Sequence, residues 1–239
     1  MDRRERAGSS LSVVARPASA APTGVGGPPG SGETDRYHRP RMAASETPVT
    51  SRPTARERIL DTAYELFSRH GTRAVGVDRI IAECGIAKMT LYRNFPSKDD
   101  LILAFLERRS ERWTKAWLQV EVERRGETPA ARLLAIFDTF EVWFQNDDFE
   151  GCSFINVMLE IVDTGSPVRQ ASIEHLAAIR AYLRDLAEQA GIDDADGFAH
   201  QWHILMKGCI VAAAEGDLRA ASRAREVGEM LLAHHGVAA

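Results

Sequence analysis

"GVDRIIAECGIAKMTLYRNFPSKDDL", residues 76–101, holds two short helical patterns separated by Gly85 and stopped by Phe95-Pro96-Ser97. Val77, Ile80, Ile81 and Cys84 recur at helical spacing, which predicts one helix from Val77 to about Cys84 and a second from Lys88 to Phe95. On a wheel of 3.6 residues per turn, Leu91 and Phe95 point inward and Arg93 points most directly outward. Met89 and Thr90 lie beside Arg93, with Tyr92 and Asn94 on the flanks. Helices this short are marginal alone. They need a third helix to pack on, and their polar face needs something outside the chain.

The third helix precedes them. Thr54-Ala55-Arg56-Glu57 is a capping box, Ile59, Ala63, Leu66 and Phe67 form an inward stripe, and Gly71 follows His70 as a stop. Three helices in so short a span, the last two joined through a glycine, fit the helix-turn-helix plan, whose final helix enters the DNA major groove. Arg on such a face suits guanine, and hydroxyl and amide groups suit phosphate.

Beyond it, Ser97-Lys98-Asp99-Asp100 is a second capping box, opening a long helix to about Val122 with Leu101, Phe105, Leu106, Trp113 and Trp117. Thr128-Pro129 starts another, ending near Asn146, and a short helix is expected from about Ser153 to Val162. Ser166-Pro167 opens the next, closed by Gly191, and two more run over about 195–215 and 218–235. Nine helices and no strand alternation predict an all-α fold.

The chain has 239 residues, 44% apolar and 27% charged, with a net charge of -4 that conceals an asymmetry. Residues 1–52 hold 8 basic and 5 acidic residues, 53–115 hold 12 and 9, and 116–239 hold 10 and 20. A basic front and an acidic rear direct only the front toward a polyanion. Ile204–Ala214, the longest apolar run, carries Lys207 and is shorter than the roughly 20 residues a bilayer requires, so no membrane partner is expected. The N-terminal arginines and Ala18-Ser19-Ala20 imitate a secretory signal, yet the apolar stretch between them stops at Arg16-Pro17. A cytoplasmic protein follows, and Cys84, Cys152 and Cys209, without a Cys-x-x-Cys pair, suit a reducing compartment. Residues 1–52, rich in Gly, Pro, Ala and Ser, read as a disordered extension. Met42 is an alternative start that would leave residues 1–41 outside the native protein, and Arg36, Arg39, Arg41 and Arg52 an alternative DNA-tracking arm.

"ILDTAYELFSRHG", "VDRIIAECGI" and "LYRNFPSKDDL", over roughly residues 54–105, resemble the TetR/AcrR family of one-component transcriptional regulators. The last stretch is similar to that family's Leu-Tyr-x-His-Phe-x-Ser-Lys-x-x-Leu signature. Asn94 stands in place of the frequent His, Ala87 where a Ser cap is common, and Gly76 where Ser or Thr is usual. The missing cap at Ala87 costs about 1 kcal/mol. The resemblance implies an N-terminal DNA-binding domain over 53–113 and an effector-binding and dimerisation domain over 114–239. It implies further that Lys88, Thr90, Tyr92, Asn94 and Lys98 hold phosphates or the groove edge and that Met89, Thr90 and Arg93 meet bases. Thr54, at the head of the first helix, belongs to the same DNA-binding set, and the helix-turn-helix itself spans Gly76 to Phe95.

The expected partners are a double-stranded, palindromic DNA operator, a small-molecule effector and a second copy of the chain. Repression is the usual outcome in the family, with activation the alternative on the same fold. Trp117, Phe140, Phe144, Tyr182, Trp202 and Met206 are candidate apolar walls of the effector pocket, with Asn156, Glu160, Gln201 and His203 as polar groups. The resemblance implies a homodimer through the last two helices, where the small residues of "GCIVAAAEG" let another helix approach closely and Met230, Leu231 and Leu232 form an apolar set. An enzyme or metal site would rest on Cys152, Cys209, His175, His200 and His203, but no Cys-His-acid order or His-Glu-x-x-His pattern supports one. Oxidation at Cys152 is a further alternative; no catalysis, metal or cofactor is expected.

Overall fold

Both capping boxes form. In the computed structural model, which describes residues 53–147 and 149–238, Thr54 Oγ1 accepts from the Glu57 amide at 3.2 Å while Glu57 Oε2 accepts from the Thr54 amide at 2.7 Å. Two of the free amides at the head of α1 (Ala55–His70) are thereby satisfied. Helix α1 buries Ile59, Leu60, Ala63, Tyr64, Leu66 and Phe67, a stripe wide enough to serve two neighbours. One is the pair α2 (Val77–Cys84) and α3 (Lys88–Asn94). These are held where their own length could not hold them: Arg58 Nη2 donates to the Cys84 carbonyl at 2.9 Å, the Arg56 guanidinium lies 4.8 Å from the Phe95 ring centre, and Ile80, Leu91 and Phe95 are buried. Gly85 turns the chain between them in the left-handed conformation, φ 64°.

The other neighbour is α4. Ser97 and Asp100 cap it reciprocally, and it runs as α-helix over Lys98–Arg109, π-helix over Ser110–Gln119 and α-helix again over Val120–Arg125. Tyr64 and Phe67 of α1 meet Phe105 edge-on, each at 5.5 Å, and Arg109 donates to the Tyr64 hydroxyl at 3.1 Å. Asp61 takes both Arg108 and Arg112. The sequence predicts a long helix here but not its π-helical middle. The widened turns coincide with Trp113 and Trp117, whose rings pack on each other at 5.6 Å and on Trp143 at 4.9 and 6.3 Å.

Five further helices complete the unit: α5 (Pro129–Phe144), α6 (Ser153–Glu160), α7 (Pro167–Gln189), α8 (Ala195–Ala214) and α9 (Ala220–His234). With α4 taken as one continuous element, the described residues form nine helices and no strand, as the periodicity predicts. The ends differ by one to three residues from the sequence-based bounds, most at α4, which runs to Arg125 rather than about Val122. Helix α6 stops at Glu160 rather than Val162 because Ile161 is extended and Arg169 donates to the carbonyls of Met158 and Ile161. Helices α5, α8 and α9 close over a shared centre of Phe137, Phe198 and Trp202. Gly228 makes that approach possible, since a Cβ there would lie 2.8 Å from Trp202. The helices all belong to one compact unit, Ala44–Ala239. The expectations for residues 1–52 lie outside the described residues.

Candidate nucleic-acid interface and interior cavity

The face of α3 is as the wheel predicts. Leu91 and Phe95 are buried, Lys88, Met89, Tyr92 and Arg93 are exposed, and Thr90 and Asn94 are half-buried. Met89 is 64% exposed, an unusual position for a large apolar side chain with no neighbour of its own chain to cover it. Arg93 forms no hydrogen bond or ion pair among the described residues, so its five donors are open to solvent. Lys88 sits 3.5 Å from Asp78, an exposed pair of small energetic weight. Asn94 is engaged within its own helix, Nδ2 donating to the Thr90 carbonyl at 2.8 Å. Ala87 and Gly76 supply no side-chain cap, so the first amides of α2 and α3 face outward unclaimed by a cap. Thr54 is exposed, with its hydroxyl shared with Glu57.

Lys98 lies half-buried at the head of α4. Burial holds its ammonium below the usual range, opposed by the nearby carboxylates of Glu160 and Asp99. Glu160, a candidate pocket residue from the sequence, does something else in the fold: its Oε2 accepts from the Thr72 amide at 3.0 Å, the Thr72 hydroxyl at 2.6 Å and the Arg73 amide at 3.0 Å. Its Oε1 fills the space beside Gly71, where a Cβ would stand 2.3 Å away and φ is 77°. The last residue of α6 is thus pinned to the linker between α1 and α2.

The other end of α6 borders a cavity. Trp113 of α4, Phe140, Cys152, Ile155, Ile179, His203, Met206, Lys207 and Ile210 line a partly open cavity with about 10 Å³ of free space, room for about one water. Of the candidate pocket residues, Phe140, His203 and Met206 line it. Trp117 and Phe144 belong to the aromatic cluster around Trp143, Trp202 packs on Phe137 and Phe198, and Asn156 donates to the Glu150 carbonyl at 3.3 Å. Burial pushes the Tyr182 hydroxyl up to about 12, and that hydroxyl has no partner. Gln201 is exposed. Sequence alone does not assign Trp113, Cys152 or Lys207 to the pocket, Cys152 being considered there only for reactivity; the one signal for Lys207 is its place as a lone charge in an apolar run, four residues after His203.

Burial, then the cations Lys207 and Arg180, hold His203 down to about 3, so its imidazole is neutral. Burial likewise raises the thiols of Cys152 and, to about 12, Cys209. His175 stacks on Phe154 and His200 lies 3.6 Å from Asp196. Among the described residues no three His, Cys, Asp or Glu side chains gather as a metal site, and no helix is long and apolar enough to cross a membrane.

Residues 59–105 match the family of bacterial regulatory proteins called tetR, and residues 129–228 match the tetracyclin repressor-like C-terminal domain, together more than half of the chain. The chain belongs to the TetR family. The chain is 43% identical over 56 residues to the uncharacterized HTH-type transcriptional regulator YxaF of Bacillus subtilis, covering 23% of this chain and 29% of that protein. An uncharacterized HTH-type regulator of Mycobacterium tuberculosis is 34% identical over 85 residues, 36% of this chain and 41% of that one. These matches span less than half the length of either relative. Whole-fold likeness comes from SCO4454, a TetR-family regulator of Streptomyces coelicolor. It has a TM-score of 0.69 and 29% identity over 75% of this chain and 89% of that one. A putative TetR regulator of Streptomyces avermitilis follows with a TM-score of 0.63 and 27% identity, covering 78% and 100%. This TetR-family chain is therefore an HTH-type transcriptional regulator with both parts of the family architecture.

Proposed function

We propose that the protein is a repressor that binds a palindromic operator as a homodimer and leaves it when a small molecule enters the rear helices. The observation that carries the DNA reading is the face of α3, where Arg93 and Met89 stand free of their own chain at the outermost point of a helix-turn-helix. Residues 53–113 are the DNA-binding part and 114–239 the effector-binding and dimerising part. Met89, Thr90 and Arg93 meet bases. Thr54, Lys88, Tyr92, Asn94 and Lys98 hold the phosphate backbone, with Lys98 aided by the positive end of α4.

Outward apolar side chains on the last two helices support the homodimer: Ile204 and Val211 on α8 and Val227 and Met230 on α9 lie beyond the chain's own core. Gly208 is exposed in the same α8 stripe and admits a close helix. A twofold axis through this surface sets two α3 helices about 34–36 Å apart, one DNA turn. Light scattering at micromolar concentration reads the dimer; a monomer contradicts it.

Two elements support communication between cavity and DNA. Helix α4 carries Trp113 at the cavity and starts at the Ser97 cap beside α3, and α6 runs from Cys152 at the cavity to the Glu160–Thr72 clamp. A ligand shifts DNA binding only by favouring one arrangement of these helices over the other. The cytoplasm is the compartment this role requires, and no catalysis or metal enters it. Mapping DNA bound by the protein across its own genome tests the function: discrete palindromic sites upstream of genes that rise when the protein is deleted are expected. Genes that fall on deletion instead identify an activator, and an absence of discrete sites overturns the reading.

A further inference from the structure

Helix α8 carries two stripes. Ile204, Gly208 and Val211 face outward, whereas His203, Lys207 and Ile210 face the cavity. Lys207 is half-buried in that inner stripe, and among the described residues it forms no hydrogen bond or ion pair. Arg180 of α7, close enough to bear on both His203 and Lys207, also lacks an ion pair. Among the described residues no Asp or Glu lines the cavity. Charge withdrawn from water without a counter-ion is unfavourable, and folds ordinarily pair it.

Two more lining residues are incomplete. Trp113 Nε1 and His203 Nδ1 are buried and have no hydrogen-bond partner among the described residues. Indole offers a donor only, and a neutral imidazole offers one donor and one acceptor. The remaining walls, Phe140, Ile155, Ile179, Met206 and Ile210, are apolar.

We infer that the cavity takes an apolar molecule bearing a single carboxylate, the carboxylate held by Lys207 and by the indole N–H of Trp113 while the apolar body lies against Phe140, Ile155, Ile179, Met206 and Ile210. This rests on the reading of the cavity as the effector site. A carboxylate has about four acceptor positions, enough for the ammonium, the indole and His203 in the tautomer that donates from Nδ1. A neutral apolar ligand would leave the ammonium stripped of water and unpaired, and a cation would meet Lys207 and Arg180 head-on. Burial and Arg180 already hold the Lys207 ammonium below its usual range, a balance that an entering anion reverses. The cavity as it stands holds about one water, so the ligand must widen it. The wall best able to yield is the π-helical stretch Ser110–Gln119, which bears Trp113; π geometry is rare and recurs at functional sites.

The test titrates the full chain with shape-matched pairs, octanoate with octan-1-ol and 4-phenylbutyrate with 4-phenylbutan-1-ol, followed by tryptophan fluorescence and calorimetry. Each acid is expected to bind about ten-fold or more tightly than its alcohol. Lys207→Met and Lys207→Gln, both checked by thermal melting, are expected to erase that preference and keep the alcohol affinity, and Lys207→Arg to retain it. Acid and alcohol binding equally, neither acid binding, or a preference surviving both neutral variants overturns the inference. The same titrations on protein bound to DNA from its own promoter separate the two claims. Acid binding that leaves DNA affinity unchanged overturns the effector reading while the ligand class stands.

Discussion

Helix α3 and the cavity between α4 and α8 make opposite demands on their side chains. On α3 the residues proposed to meet DNA are those that the core does not use: Leu91 and Phe95 are spent on packing, and Arg93, Met89 and Tyr92 remain outside. In the cavity the residues proposed to meet a ligand are buried or half-buried, and what marks Trp113, His203 and Lys207 is an incomplete partner set among the described residues. An outward-facing site follows from periodicity, because the wheel that buries one face exposes the other. An inward-facing site does not, because every wall residue is also an ordinary packing residue.

The comparison predicts unequal tolerance to substitution, greatest in effect inside. Gly228→Val drives a Cβ into Trp202 and Phe137, and overpacking of this kind is expected to lower stability by about 1–3 kcal/mol in urea unfolding, whereas Met89→Ala stays within about 0.5 kcal/mol. Equal losses would erase the distinction between the two regions.

Glu160→Ala sits on the boundary between them. Removing the carboxylate leaves the amides of Thr72 and Arg73 without their acceptor and should cost about 2 kcal/mol. Hydrogen exchange at those two amides should accelerate more than at Leu183, in the middle of α7. Unchanged exchange would show that the clamp does not couple α6 to the α1–α2 linker.

Acid should weaken the rear helices through His203. Its folded value, near 3, lies below the ordinary 6.5, so the unfolded chain binds a proton that the folded chain refuses. Stability from this group is complete above about pH 6.5 and falls with decreasing pH toward about 3, at about 1.4 kcal/mol per pH unit. His203→Leu should flatten that slope between pH 6.5 and 5, leaving the smaller share of His175, which burial also depresses. An unaltered slope removes His203 from the account. Lys98→Ala should have the smallest effect, weakening DNA binding evenly across sequences and lowering the salt slope by about one unit. Sequence-selective loss would instead place Lys98 at a base.

Much of the fold is legible before any coordinates. The capping boxes at Thr54 and Ser97, the proline starts at Pro129 and Pro167 and the turn at Gly85 each carry a local cause within a few residues. The face of α3 is legible for the same reason. The π-helical stretch is not, since it coincides with the packing of Trp113 and Trp117 on Trp143, a contact made with another helix and not with sequence neighbours. Glu160 shows the same limit. Sequence alone offers it, with Asn156 of the same short helix, as a polar group at a pocket, and only the folded position of α6 brings it to Thr72 and Gly71. Lys207 is visible as a lone charge, but the lack of a counter-ion beside it among the described residues is a property of five packed helices.

The central claim is that the exposed face of α3 reads sequence, and Arg93→Ala tests it most directly. Anisotropy titrations of wild type and variant, on DNA from a mapped site and on a scrambled duplex at one salt concentration, separate base reading from phosphate attraction. The account predicts that the variant loses about 10–100-fold on the mapped site and little on the scrambled one. Equal losses on both duplexes, or no loss on either, would contradict it.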